Sequence, residues 1–326
     1  MPVIGFHASH EQVHPSKLLA AVQQAEQVGF TAAMCSDHIS PWSERQGHSA
    51  FAWSWLGGAL QATGLPFGVV NAPGQRYHPA IIAQAIATLG AMYEGRFWVA
   101  LGTGENSNEH ITGGEWPRKD VRNARLAECV EVIRALLAGE EVTHDGLVIV
   151  DRARVYTLPK IIPPLIGAAV TQETARWIAG WADGMATIAQ PPRSLRQMIN
   201  SYRDNGGRGP LVLQVHLSYA KTHDEALEIA YDQWRTNTFS PPVCWDLETV
   251  EAFEVASATV RPEDVAKGVF VSADPGEHAQ HLADLAELGF DEIYLHHVGK
   301  TQTEFLEVFG ERVLPQLQPT PKSTAA

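Results

Sequence analysis

Cysteine is scarce and unpatterned in this chain. Only Cys35, Cys129 and Cys244 occur in 326 residues, an odd number at wide spacings. Such a set builds neither a disulfide framework nor a zinc site, and reads as isolated thiols in a reducing compartment. His38, His48, His78 and His110 are scattered, and His296 and His297 are adjacent on a strand-like run, which points them to opposite faces. No metal centre is expected. Basic residues are also few: 24 Lys and Arg stand against 37 Asp and Glu, a formal charge of −13. An acidic surface repels phosphate backbones, so nucleic acid is excluded as a partner. No apolar run approaches the ~20 residues that span a bilayer. The start, MPVIGFH, has neither a basic segment nor an apolar h-region, so no signal peptide and a cytoplasmic location are expected. The dinucleotide fingerprint fails as well, because the third glycine of a pattern opened by Gly102 and Gly104 falls at Ser107.

What the chain does have is rhythm. Apolar residues make up 45% of it. They fall into short β-rich runs at residues 3–7, 31–36, 66–71, 97–101, 164–168, 184–188, 211–218 and 292–296. Each run is followed by a longer segment with helical spacing. In the first of these, Leu18, Leu19, Val22, Ala25 and Val28 share one face, and Gly29 stands at the stop. Eight strand-then-helix units predict an α/β fold with a parallel sheet closed as a (βα)8 TIM barrel, in one domain over residues 1–318. A polar tail, 319–326, is expected to fray. Three segments interrupt the rhythm: 37–50 after the second strand, 140–158 after the fourth helix, and 221–267 after the seventh strand. The last holds Trp234, Phe239 and Trp245, and is expected to cap the barrel mouth.

Barrel enzymes carry their chemistry at the C-terminal ends of the strands. His7, His10 and Glu11 follow the first strand, and Asp37, His38 and Trp42 the second. Asn71 ends the third. Gly102, Thr103, Gly104, Glu105, Asn106 and Asn108 follow the fourth, His216 and Ser218 end the seventh, and His296 ends the eighth. Histidines and carboxylates converging on one rim make a candidate acid–base site. The amides near Val170 and Thr171 open a helix, which can receive an anion, although a threonine cap needs no ligand.

Several of these stretches together are similar to those of a known family. SDHISPW (36–42), GHSAFAWSWLG (47–57), RYHPAIIAQAIATL (76–89) and GTGENSNEHITG (102–113) resemble the luciferase-like superfamily. Within it they resemble the group of deazaflavin (F420)-dependent glucose-6-phosphate dehydrogenases, and most closely a branch using FMN. The resemblance implies an oxidoreductase or monooxygenase acting on a small organic substrate. It implies His38 as base, Glu105 as proton donor, Trp42 beside the reacting centre and Glu11 in the substrate pocket. It implies cofactor contacts at Asp37, Thr103, Gly104 and Asn108, and, near the cofactor phosphate, at Ala168 and Ala169, beside which the helix-opening amides of Val170 and Thr171 are expected to receive that phosphate. It further implies a non-prolyl cis peptide at Val69-Val70. The lysine that relatives carry after the sixth strand is missing from Ala189-Gln190-Pro191-Pro192-Arg193. A rim poor in lysine favours FMN over the polyanionic tail of F420. The alternatives are an F420-dependent dehydrogenase and a flavin-binding barrel without activity. A homodimer is the expected assembly.

Overall fold

A computed structural model describes residues 1–317. The expected tail, 319–326, lies outside them. Eight strands form the barrel: β1 (Val3–Ala8), β2 (Ala32–Ser36), β3 (Phe67–Asn71), β4 (Phe97–Leu101), β5 (Leu165–Ala168), β6 (Met185–Ile188), β7 (Leu211–Tyr219) and β8 (Glu292–His297). Neighbours pair in parallel in chain order, and β8 closes onto β1 with Val3 opposite Glu292. The outer ring is α1 (Pro15–Gln27), α2 (Ala52–Ala62), α3 (Pro79–Met92), α4 (Lys119–Leu137), α5 (Gln172–Ile178), α6 (Pro192–Asp204), α7 (Pro275–Ala286) and α8 (Thr303–Arg312). Proline opens α1, α3, α6 and α7, where a missing N–H costs nothing.

Strands covered on both faces read as continuous apolar runs, and β2 and β4 are buried along their whole length. Outward residues such as Cys35, Val69 and Val99 pack on the helices. Inward ones, among them Met34, Ala100, Ile166 and Val212, fill the lower barrel around Trp98 and Tyr294. Those two rings need room that only glycine leaves. A Cβ on Gly68 would lie 2.0 Å from the Trp98 ring, and one on Gly5 2.3 Å from Tyr294. The bottom is thus plugged, and any ligand is confined to the upper end.

The interruptions take structure of their own. Val142–Asp145 and Ile149–Ala153 form an antiparallel hairpin. After β7 come helices at His223–Trp234, Val250–Ala256 and Pro262–Val265, the first held by a capping box of Thr222 and Glu225. The return strand Phe270–Ser272 pairs with Leu217–Tyr219, beyond the point where β6 leaves β7. This extra pairing, not expected from the sequence, ties the insertion to the barrel rim. Among the described residues no helix is long and apolar enough to cross a membrane.

Candidate active site

The strand ends and the insertion enclose a cavity of about 920 Å³. At its centre His38 Nδ1 lies 2.7 Å from Glu11 Oε1, and Ser9 Oγ donates to the other Glu11 oxygen at 2.7 Å. Burial would raise the Glu11 carboxyl, but the hydrogen bond and charge of His38 outweigh it and hold it near 2. Burial likewise works against a charged His38, yet the bond to Glu11, its charge and that of Glu105 lift the imidazole above its ordinary value. Glu11 is therefore the residue that orients and tunes His38. Trp42 stands edge-on to the imidazole with centroids 4.8 Å apart. Glu105 lies on the cavity wall with Oε2 buried and unpartnered, and burial raises its carboxyl despite His38 and Trp42 nearby.

A second polar group fixes the β2–β3 side. Arg76, which sequence reasoning did not single out, donates to the Asp37 carbonyl at 2.7 Å. Its guanidinium lies 3.4 Å from Asp37 Oδ2 and 3.6 Å from Glu109 Oε1. Asn71 Nδ2 donates to Asp37 Oδ2 at 3.0 Å. Asp37 Oδ1 and Asn71 Oδ1 are left buried without partners. The signal was present in RYHP, where a lone arginine precedes a helix at the rim, but its partners sit 39 residues before and 33 after it and share no local pattern with it.

Other expected positions divide. Val70, Thr103, Gly104, Asn108, Ala168, Ala169 and Val170 line the cavity. The Thr103 hydroxyl accepts from Lys119 Nζ at 2.6 Å, and Asn108 Oδ1 accepts from the Ile39 amide at 2.9 Å. Gly104 takes φ +78°, a turn that suits glycine. Thr171 does not reach the cavity: its Oγ caps α5 by accepting from the Thr174 amide at 3.2 Å. The expected cis bond at Val69-Val70 is absent, the cis peptide among the described residues being Pro241-Pro242. Val69 and Val70 stay in register with Cys35 and Ser36 on one side and Val99 and Ala100 on the other. An unbroken ladder on both sides leaves nothing to offset the ~3 kcal/mol of a non-prolyl cis bond. Val69 accordingly faces the helices, and only Val70 faces the cavity. The rim is also less poor in cations than expected. Lys119 and Lys267 both line the mouth, and burial with the nearby Arg122 pulls Lys119 down to about 8.

His7, His216 and His296 meet where β1, β7 and β8 adjoin. His7 stacks on His296 at 4.3 Å, and Trp234 of the cap lies 4.8 Å from both His216 and His296. His297 points outward and stacks on Phe305, as adjacency on a strand requires. The run His10-Glu11-Gln12-Val13-His14 has the letters of a zinc-binding helix but is a loop. Glu11 goes to His38, His10 packs on Trp55, and His14 caps α1.

A profile of the family described as luciferase-like monooxygenase matches residues 2–292. The chain is 35% identical to a Microbacterium testaceum protein named F420-dependent glucose-6-phosphate dehydrogenase, over 96% of this chain and 97% of that one. A protein of the same name from Beutenbergia cavernae is 33% identical over 97% of each. Among solved structures, an F420-dependent secondary alcohol dehydrogenase in complex with an F420-acetone adduct superposes with a TM-score of 0.89. It is 29% identical and covers 98% of this chain and 100% of its own.

Proposed function

Since the chain belongs to the luciferase-like monooxygenase family, and is an oxidoreductase with a flavin-type cofactor, we propose that it is an F420-dependent dehydrogenase of an alcohol. This replaces FMN, preferred above on a lysine-poor rim, because relatives across the full length are named for F420 and two lysines stand at the mouth. The observation that carries the reading is the His38–Glu11 pair, buried in the mouth beside Trp42 and Glu105.

The residues fit a planar hydrogen-bonding ring. Asp37 Oδ1 and Asn71 Oδ1 are buried acceptors without partners, and Val70, Ala168 and Ala169 give an apolar wall. When bound, the deazaflavin supplies a ring carbon that exchanges a hydride. The protein's part is the proton. With Nδ1 held by Glu11, His38 presents Nε2 to the substrate hydroxyl and accepts its proton there. Glu105, its carboxyl raised by burial, faces the same cavity. Trp42 and Trp234, 5.9 Å apart, keep water from the pair.

Titration of the protein with F420 and with FMN tests this. F420 is expected to bind at least ~10-fold tighter, a difference of about 1.4 kcal/mol, and to support alcohol oxidation. Tighter binding of FMN, with turnover only in its presence, would overturn the reading.

A further inference from the structure

The histidine side of the cavity carries a hydrogen-bond chain whose proton positions are fixed. Gln12 Nε2 donates to the Val298 carbonyl and, at 3.4 Å, to Gln233 Oε1. Gln12 Oε1 is therefore the acceptor facing His296 Nε2 at 2.7 Å, and His296 carries its proton on Nε2. Burial, with His7 and His216 alongside, holds His296 neutral, so its Nδ1 is bare. That nitrogen needs a donor, and Gln214 Nε2 at 3.2 Å is the one. The second hydrogen of the same amide goes to His216 Nε2 at 3.1 Å. His216 in turn must carry its proton on Nδ1. The chain ends with one unspent donor, His216 Nδ1–H, and one unspent acceptor, Gln214 Oε1, on two residues that line the cavity. Beside them His7, 3% exposed, lines the same cavity with both ring nitrogens buried and unpartnered.

A buried polar group without a partner is costly, and a neutral imidazole needs both a donor and an acceptor to be satisfied. A hydroxyl group offers both. A phosphate or carboxylate offers only acceptors and brings a charge that three neutral imidazoles do not balance. His7 also lies within electrostatic reach of Glu11 and His38, which places this floor next to the acid–base pair.

We propose that His7, Gln214 and His216 form a subsite for a second, uncharged hydroxyl of the substrate, close to the carbinol being oxidised. The class of substrate is then a diol or polyol. This rests on the dehydrogenase reading for its catalytic arm but not for its binding arm.

The probes are 1,2-propanediol and 2-propanol, which share the reacting carbon and differ by one hydroxyl. In the F420-loaded protein the diol is expected to be favoured about 10-fold or more in kcat/KM. The same preference is expected in equilibrium binding read by tryptophan fluorescence, to which Trp234 reports from 4.8 Å. His216→Phe is expected to erase the ratio, and His216→Asn, which keeps a side-chain N–H, to restore part of it. Gln214→Leu, which frees the proton positions, is expected to lower the ratio as well and serves if His216→Phe does not fold. Equal affinity for the two probes in the wild type, or a ratio unmoved in every variant, would overturn the subsite. Diol preference in binding with no turnover of either alcohol would uphold the subsite and sink the dehydrogenase reading instead.

Discussion

His38→Ala is expected to lower turnover at least ~100-fold while leaving the fold and F420 binding in place. His38 is the one imidazole at the mouth whose proton affinity is raised. His7 and His216 are driven down to about 3 and about 4, chiefly by burial, so they stay neutral. The difference comes from Glu11, 2.7 Å away. Alcohol oxidation requires the neutral form of His38, so its rate should rise with pH as the raised value is passed, above 6.5. Glu11→Gln removes the charge that lifts the imidazole, and burial then dominates. That variant's profile should shift to lower pH, with a lower maximal rate because the ring is less well held. Stability moves the other way with pH. The His38 contribution is complete below 6.5 and is lost as pH climbs through the raised folded value. The Glu11 contribution is present above 4.5 and is lost as pH falls toward about 2. Rates measured from pH 5 to 9 check both variants, and undiminished turnover in His38→Ala would remove it from the chemistry.

Arg76→Met is expected to cost about 3–5 kcal/mol of stability, the penalty for stripping the partner from a buried charge. The Arg76 side chain is only 7% exposed, and its two carboxylate neighbours, Asp37 and Glu109, are at 1% and 2%. Burial already raises the Glu109 carboxyl, with Arg76 opposing it. Methionine keeps the apolar stem and removes the guanidinium, so most of the loss reports the two carboxylates left without their partner. Arg76→Lys should recover only part, because a point charge cannot serve the Asp37 carbonyl, Asp37 Oδ2 and Glu109 together. Urea unfolding of the three proteins measures this. A loss under about 1 kcal/mol in Arg76→Met would show that the two carboxylates find other partners or take up protons at little cost.

The barrel was legible because parallel strands covered on both faces leave continuous apolar runs. The eight runs read from the sequence lie within a residue or two of β1 to β8, and Pro79 stands where its helix begins. Rim residues were legible through the same rule, which brings His38, Glu105 and Trp42 into one cavity. Side-chain direction was less so. Alternation along β3 sends Val70 inward and Val69 outward, and treating the pair as one feature misplaced Val69. Thr171 illustrates competition between a cap and a ligand for one hydroxyl, which the cap wins. Pairings across the barrel left no local trace. Glu11 reaches His38 over 27 residues and Gln12 reaches His296 over 284, and neither distance follows from any spacing. The cation count at the mouth was misread for the same reason, since Lys119 arrives from the start of α4 and Lys267 from the cap.

The most direct test of hydride exchange between an alcohol carbon and F420 is label transfer. The protein is incubated without oxygen with F420 and 2-propanol deuterated at C2, and the reduced cofactor is analysed by mass spectrometry. Deuterium carried from C2 into reduced F420, at a rate that falls with His38→Ala, is the expected result. Reduced F420 free of deuterium, or reduction that proceeds with FMN and not with F420, would contradict it.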